Sequence, residues 1–250
     1  MRHDEVLNPV RIVSTVPSQT ELLSYLGLDD ELVGITKFCV HPEHIYRSKT
    51  RIGGTKDLDI AGIRALSPDL ILANKEENDK DQITELSKTF KVHVTDVHDL
   101  PSALDMIKEV SRMTEKEENG RNLIDEIQRG FDELAILSSS KSVLYLIWKN
   151  PWMSVGRDTF IRDILSRCGF KNVMDHETRY PEVDLAHVTP ELVFLSSEPY
   201  PFKENHIDEL RSQFPLTQFH LVNGEYFSWY GSRLVGSPRY LSGLIDAIQP

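Results

Sequence analysis

Near its carboxyl end the chain reads "GEYFSWYGSRL" at 224–234, with Phe227, Trp229 and Tyr230 crowded beside Gly231 and Arg233 following. Aromatic faces stack on flat apolar ligands at low entropic cost. An arginine fork grips a carboxylate, amide or phosphate. The same rings serve equally well as core, and the stretch alone leaves both readings open. Two more tryptophans, Trp148 and Trp152, flank a proline turn in "IWKNPWM". "KFCVHPEH" at 37–44 offers Cys39, His41 and His44, residue types that ligate zinc, iron or cobalt. Pro42 separates the histidines and no third ligand is near, so a plain loop is the preferred reading and no metal ligand is assigned. Cysteine catalysis would need a placed base and an orienting group. "GGTKD" at 53–57 could cradle a phosphate beside Lys56 but matches no phosphate-binding fingerprint, and it reads as a tight turn. No carboxylate or histidine set has catalytic spacing, so no catalytic residue is assigned.

These residues need elements to hold them, and the composition permits a folded chain. The chain has 250 residues, 40% hydrophobic and 27% charged, which suits one large domain or two small ones. A net charge of -11, with no Lys/Arg cluster, argues against nucleic acid as a partner. Cys39 and Cys168 stand far apart and make no disulfide framework. No apolar run is long enough to span a bilayer, and a monomer is expected. The opening "MRHDEVLNPVRIV" has no apolar signal core, so a cytoplasmic location is expected, or a periplasmic or cell-surface one if a leader was trimmed.

The chain repeats one plan. Arg11 to Thr15 is a β-branched run, Pro17 breaks it, and Leu22, Leu23 and Leu26 share a helical face that Gly27 ends. Leu32 to Ile35 follows as a strand. In the second half Val143 to Trp148 is a strand, Asp158 or Thr159 starts a helix, Gly169 ends it, and Asn172 to Met174 is the next strand. "LSPDLILA" at 66–73 and "VTPELVFL" at 188–195 share a pattern whose unbroken apolar runs suit parallel strands buried on both faces. Between the halves, Ala103, Ile107 and Val110 make a helical stripe. "TEKE" at 114–117 reads as a capping box, and Leu123, Ile124, Ile127, Phe131 and Leu134 as an apolar face.

The expected fold is therefore α/β: two Rossmann-like lobes with mainly parallel sheets, joined by a long helix. The first lobe covers 1–100. A helical linker covers 101–137, with its spine at about 114–137, and the second lobe covers 138–250. Ligands of open parallel sheets bind beyond the carboxyl ends of the strands. The loops there place Pro17, Ser18, Phe38, Cys39, Lys56 and Asn74 in the first lobe. In the second they place Trp148, Trp152, Tyr200, Phe227, Trp229, Tyr230 and Arg233. These are the expected ligand-binding residues, on the walls of a cleft between the lobes.

"RIVSTVPSQTELLSYLGLDDELVGIT", the "RIGGTKDLDIAGIRALSPDLILA" after it and the spine helix resemble the helical-backbone, class III substrate-binding proteins of ABC importers, most of all the cobalamin-binding branch. The likeness runs from Arg11 to Ile248. It implies a non-catalytic protein that captures cobalamin, haem or a ferric siderophore, with no intrinsic cofactor, and delivers it to a permease. It also implies one acidic docking residue per lobe. Glu204, with Glu198 behind it, fits the second lobe. In the first, the family's glutamate falls near Lys80, where Asp79 or Asp81 takes its place. Two other readings use the same plan: a cytoplasmic chelate chaperone or sensor without a permease, and a nucleotide-dependent two-lobed enzyme.

Overall fold

The structure is a computed structural model that describes residues 11–248; the leader reading of the first ten residues lies outside them. The chain forms two compact units. One takes the chain up to Val97, then Pro101–Gln128 and Tyr230–Val235; the other takes His98–Leu100, Arg129–Trp229 and Gly236 onward.

The first unit contains β1 (Ile12–Ser14), α1 (Pro17–Tyr25), β2 (Leu32–Ile35), α2 (Glu43–Ser48), β3 (Thr50–Arg51), α3 (Ile60–Leu66), β4 (Leu70–Asn74), α4 (Lys80–Ser87) and β5 (Val92–Thr95). The order across its sheet is β3-β2-β1-β4-β5, and every pairing is parallel. All five residues of β4 are buried, as a strand covered on both faces requires. Ile71 and Ala73 pack with Val13, Ile52, Ile63 and Leu86 beneath the helices. Pro17 occupies the first turn of α1, where a missing N–H costs nothing, and Gly27 leaves the helix at φ 78°.

Two helices follow, α5 (Leu100–Met113) and α6 (Glu117–Asp132). The expected single spine helix over 114–137 is thus shorter and starts later. Thr114–Lys116 close α5 instead of capping the next helix. Thr114 Oγ1 donates to Val110 O at 2.8 Å, Glu115 takes a left-handed φ of 55°, and Lys116 N donates back to Ser111 O at 2.8 Å. This is the return bond of a Schellman-type ending, so the capping-box reading fails. The stripe of Ala103, Ile107 and Val110 is fully buried, as are Leu123 and Ile127 on α6.

The second unit contains β6 (Ser142–Leu146), α7 (Phe160–Arg167), β7 (Lys171–Asn172), β8 (Leu192–Ser196), α8 (Glu204–Arg211), β9 (Gln218–Val222), α9 (Glu225–Ser228) and α10 (Ser237–Ile248). Its sheet runs β7-β6-β8-β9, again all parallel. Val193 and Leu195 pack with Ile207 and Leu210 of α8. On the opposite face Phe194 meets Phe170 and Phe227. Among the described residues no helix is long and apolar enough to cross a membrane.

Candidate ligand-binding site

The strand order fixes where a crevice opens. In the second unit β6 has β7 on one side and β8 on the other, so the loops leaving β6 and β8 diverge beyond their carboxyl ends. Trp148 stands in the first loop and Tyr200 in the second, and Tyr200 N donates to Ile147 O at 3.3 Å, which ties the loops together. The turn after β6 is held by Met153 N donating to Trp148 O at 3.1 Å and Ile147 N donating to Met153 O at 3.0 Å. Trp148 remains 41% exposed, with its ring edge-on to Tyr200 at 5.6 Å and 74°. Tyr200 leans on Phe202 at 4.7 Å, and Phe202 lies parallel to Trp152 at 6.0 Å and 5°. Lys149 Nζ sits 5.5 Å from the centre of the Trp152 ring and is ion-paired with Glu209 of α8. Tyr200 Oη is 3.2 Å from His206 Nε2. The result is a connected aromatic surface with one large ring presented to solvent.

Phe202, Lys149 and His206 belong to this group, and the sequence reading did not pick them. His206 had one signal: it stands three residues after the helix-start residue Lys203, where a side chain can reach back to cap.

The corresponding crevice of the first unit lies between β1 and β4 and is filled by its own side chains. Asn74 Oδ1 accepts the N–H groups of Glu76 and Glu77 at 2.9 and 3.1 Å, and its Nδ2 donates to Thr95 O at 3.1 Å. Thr15 Oγ1 lies 2.8 Å from Asn78 Oδ1. Lys56 Nζ donates to Glu76 O at 2.6 Å and to Asn78 O at 3.3 Å. Asn74 and Ser18 are buried. Asn74 therefore holds its loop in place, which corrects the expectation that it lines an open site, while Lys56 ties two loops together and stays exposed. Pro17 is half-buried at the start of α1.

Cys39 also differs from expectation. It is fully buried, with Thr20 Oγ1 and Thr36 Oγ1 each 3.1 Å from its sulfur, and burial pushes its thiol pKa up. Its neighbour Phe38 is 51% exposed beyond β2, with Lys37 Nζ 5.2 Å from the ring centre. Gly54 leaves room for both, since a Cβ there would sit 3.3 Å from each side chain.

The opening aromatic stretch divides. Phe227 is fully buried and packs on Tyr145 at 5.2 Å and Phe194 at 6.3 Å, so it is core. Trp229 and Tyr230 are buried as well, at 8% and 7% exposure, and do not form an open wall. Arg233 is engaged: its Nη2 lies 2.7 Å from Glu21 Oε1, and its Nε donates to Glu21 Oε2 at 3.2 Å. Its fork already holds a carboxylate of α1.

The acidic candidates also separate. Asp79 caps α4, accepting from Asp81 N at 3.1 Å and Gln82 N at 3.0 Å. Glu198 is half-buried and accepts the Ser228 hydroxyl. Asp81 and Glu204 are exposed in the first turns of α4 and α8, where the helix dipole favours a carboxylate.

Comparison with known proteins gives the class. Residues 12–213 match the family model described as periplasmic binding protein, and the chain belongs to that family. The "Vitamin B12-binding protein" of Vibrio cholerae is 24% identical over 194 residues, which cover 74% of this chain and 70% of the relative. The "Uncharacterized ABC transporter substrate-binding lipoprotein YvrC" of Bacillus subtilis is 26% identical over 187 residues, 70% of this chain and 59% of the relative. Among solved structures, the periplasmic heme-binding protein HutB of Vibrio cholerae superposes with a TM-score of 0.80 at 19% identity, over 96% of this chain and 99% of that one. The two parallel-sheet units are thus the fold of ABC substrate-binding proteins. Family membership overturns the expected cytoplasmic location, because these relatives are periplasmic proteins or lipoproteins. The opening residues on which that expectation rested do not define the compartment.

Proposed function

We propose that this protein is the extracytoplasmic capture component of an ABC importer and that its ligand is a bulky metal chelate, a corrinoid in the first place. It binds and releases; it does no chemistry on the ligand. The observation that carries this is Trp148, a large ring left exposed at the strand-order crevice of its unit and braced by Tyr200. A flat apolar ligand face gains contact there without ordering a flexible side chain. Phe38 offers a comparable exposed ring in the first unit. The names of the relatives, vitamin B12-binding and heme-binding, support a chelate of this size.

Asp81 and Glu204 are the acids placed to meet a basic permease surface, since Asp79 and Glu198 are already engaged within the fold. Titration with cyanocobalamin and with hemin, followed by tryptophan quenching, tests the ligand class. Saturable binding of one of them, weakened about five- to a hundredfold in Trp148→Ala, is the expected result. Binding of neither would overturn the proposal. Reversing the charge at Glu204 should reduce uptake in cells and leave the solution affinity unchanged.

A further inference from the structure

Tyr200 follows Ser197–Pro199 in a loop without regular structure, yet its ring is what braces Trp148. The group that holds Tyr200 is His206. This histidine is the third residue of α8 and is buried. Its Nδ1 lies 2.9 Å from Lys203 N and accepts that N–H, one of the donors a helix start leaves without an intrahelical partner. The Lys203 carbonyl is the longer contact, at 3.2 Å. With Nδ1 accepting, the ring proton sits on Nε2 and is donated to Tyr200 Oη at 3.2 Å. The two rings also meet edge to face at 5.4 Å and 77°. One imidazole therefore joins the start of α8 to the phenol, and the phenol ring carries Trp148. Phe202 packs against both partners, at 4.7 Å from Tyr200 and 5.4 Å from His206, and closes the group.

We propose that His206 is a positioning residue for ligand capture: from α8 it fixes Tyr200 and, through Tyr200, the exposed face of Trp148. Affinity then depends on an imidazole that does not touch the ligand. The affinity part rests on the reading of Trp148 as ligand surface; the positioning part stands without any ligand.

The test uses the full chain carrying 5-fluorotryptophan. Its three tryptophans give three fluorine resonances, and Trp148→Phe assigns the one of interest. His206→Leu removes both hydrogen bonds at similar volume, and Tyr200→Phe removes only the hydroxyl. Either change is expected to shift or broaden the Trp148 resonance and to leave that of Trp229 in place. His206→Gln keeps an acceptor for Lys203 N and an N–H donor, and should restore the Trp148 resonance toward its original position. Where cyanocobalamin or hemin binds, His206→Leu and Tyr200→Phe should each weaken it about three- to tenfold. The double variant should then be no weaker than the worse single one, because both break one connection. A Trp148 resonance unmoved in folded His206→Leu or Tyr200→Phe protein overturns the positioning role. If His206→Leu does not fold, Tyr200→Phe decides, since it leaves the helix cap intact. If neither chelate binds the unaltered chain, the ligand reading fails and the fluorine spectra still decide on His206.

Discussion

Trp148 and Trp229 carry the same side chain into opposite settings, and the difference is measurable. Trp148→Ala removes a ring that is already part-solvated, so its stability cost should be small. Trp229→Ala opens a cavity at a buried position and should cost about 3–5 kcal/mol. Urea denaturation of the two variants checks the order; a larger loss at Trp148 would reverse the assignment of exposed ring and core ring. Burial alone raises the Cys168 thiol pKa from the usual 9.0 to about 12, and burial likewise raises that of Cys39. A folded pKa above the unfolded one gives stability that is complete below the unfolded value and is lost as pH climbs toward the folded value. The protein should therefore lose stability progressively from about pH 9 upward. At pH 8 a disulfide reagent should titrate neither thiol in the native chain and both in denaturant. Rapid labelling of native Cys39 would show that it is accessible after all.

The elements themselves were largely written in local sequence. Leu32–Ile35 is a strand as expected, and the continuous runs "LILA" and "VFL" lie in β4 and β8, two inner strands buried along their whole length. Thr159 caps α7, accepting from Arg162 N at 3.3 Å, and Gly169 ends the turn beyond that helix at φ 86°. These features are legible because cap, period and terminating glycine lie within a few residues of one another. The engagement of Arg233 by Glu21 was not legible, because the partners are 212 residues apart and either alone looks like a surface charge. The burial of Phe227 was hidden similarly: it lies on α9, and its neighbours Tyr145 and Phe194 come from the distant strands β6 and β8. The ending of α5 was missed because Glu115 takes a left-handed conformation with no glycine to announce it. Asp79 accepts two backbone N–H groups at the helix start, whereas Asp81, two residues on in the first turn, is exposed. Asp79→Ala should cost about 1 kcal/mol and Asp81→Ala less than about 0.5 kcal/mol, by chemical denaturation. Equal losses would mean that Asp79 contributes no cap.

At the scale of the whole chain, the first unit is completed by a segment that arrives from far along the sequence. Tyr230–Val235 belongs to that unit although the residues on both sides of it belong to the other. Gly231, at φ 115°, runs so close to α1 that a Cβ would lie 3.3 Å from Ser18 O and from Leu22 Cβ. Leu234 is fully buried, and Arg233 binds Glu21 on α1 through both of its nearer nitrogens. The pair is four-fifths buried on both sides, so removing one partner strands a poorly solvated charge. The first unit should therefore depend on residues made more than a hundred positions after its last strand. Leu234→Ala is expected to cost about 2–5 kcal/mol by the usual penalty for truncating a buried leucine. Hydrogen exchange tells where that loss falls. Amides of α1 should lose protection in Leu234→Ala and in Arg233→Gln, while those of α8 keep theirs, because local opening reports the contacts of its own region. Equal loss of protection in α1 and α8 would show that the segment stabilises the chain as a whole and not the first unit in particular.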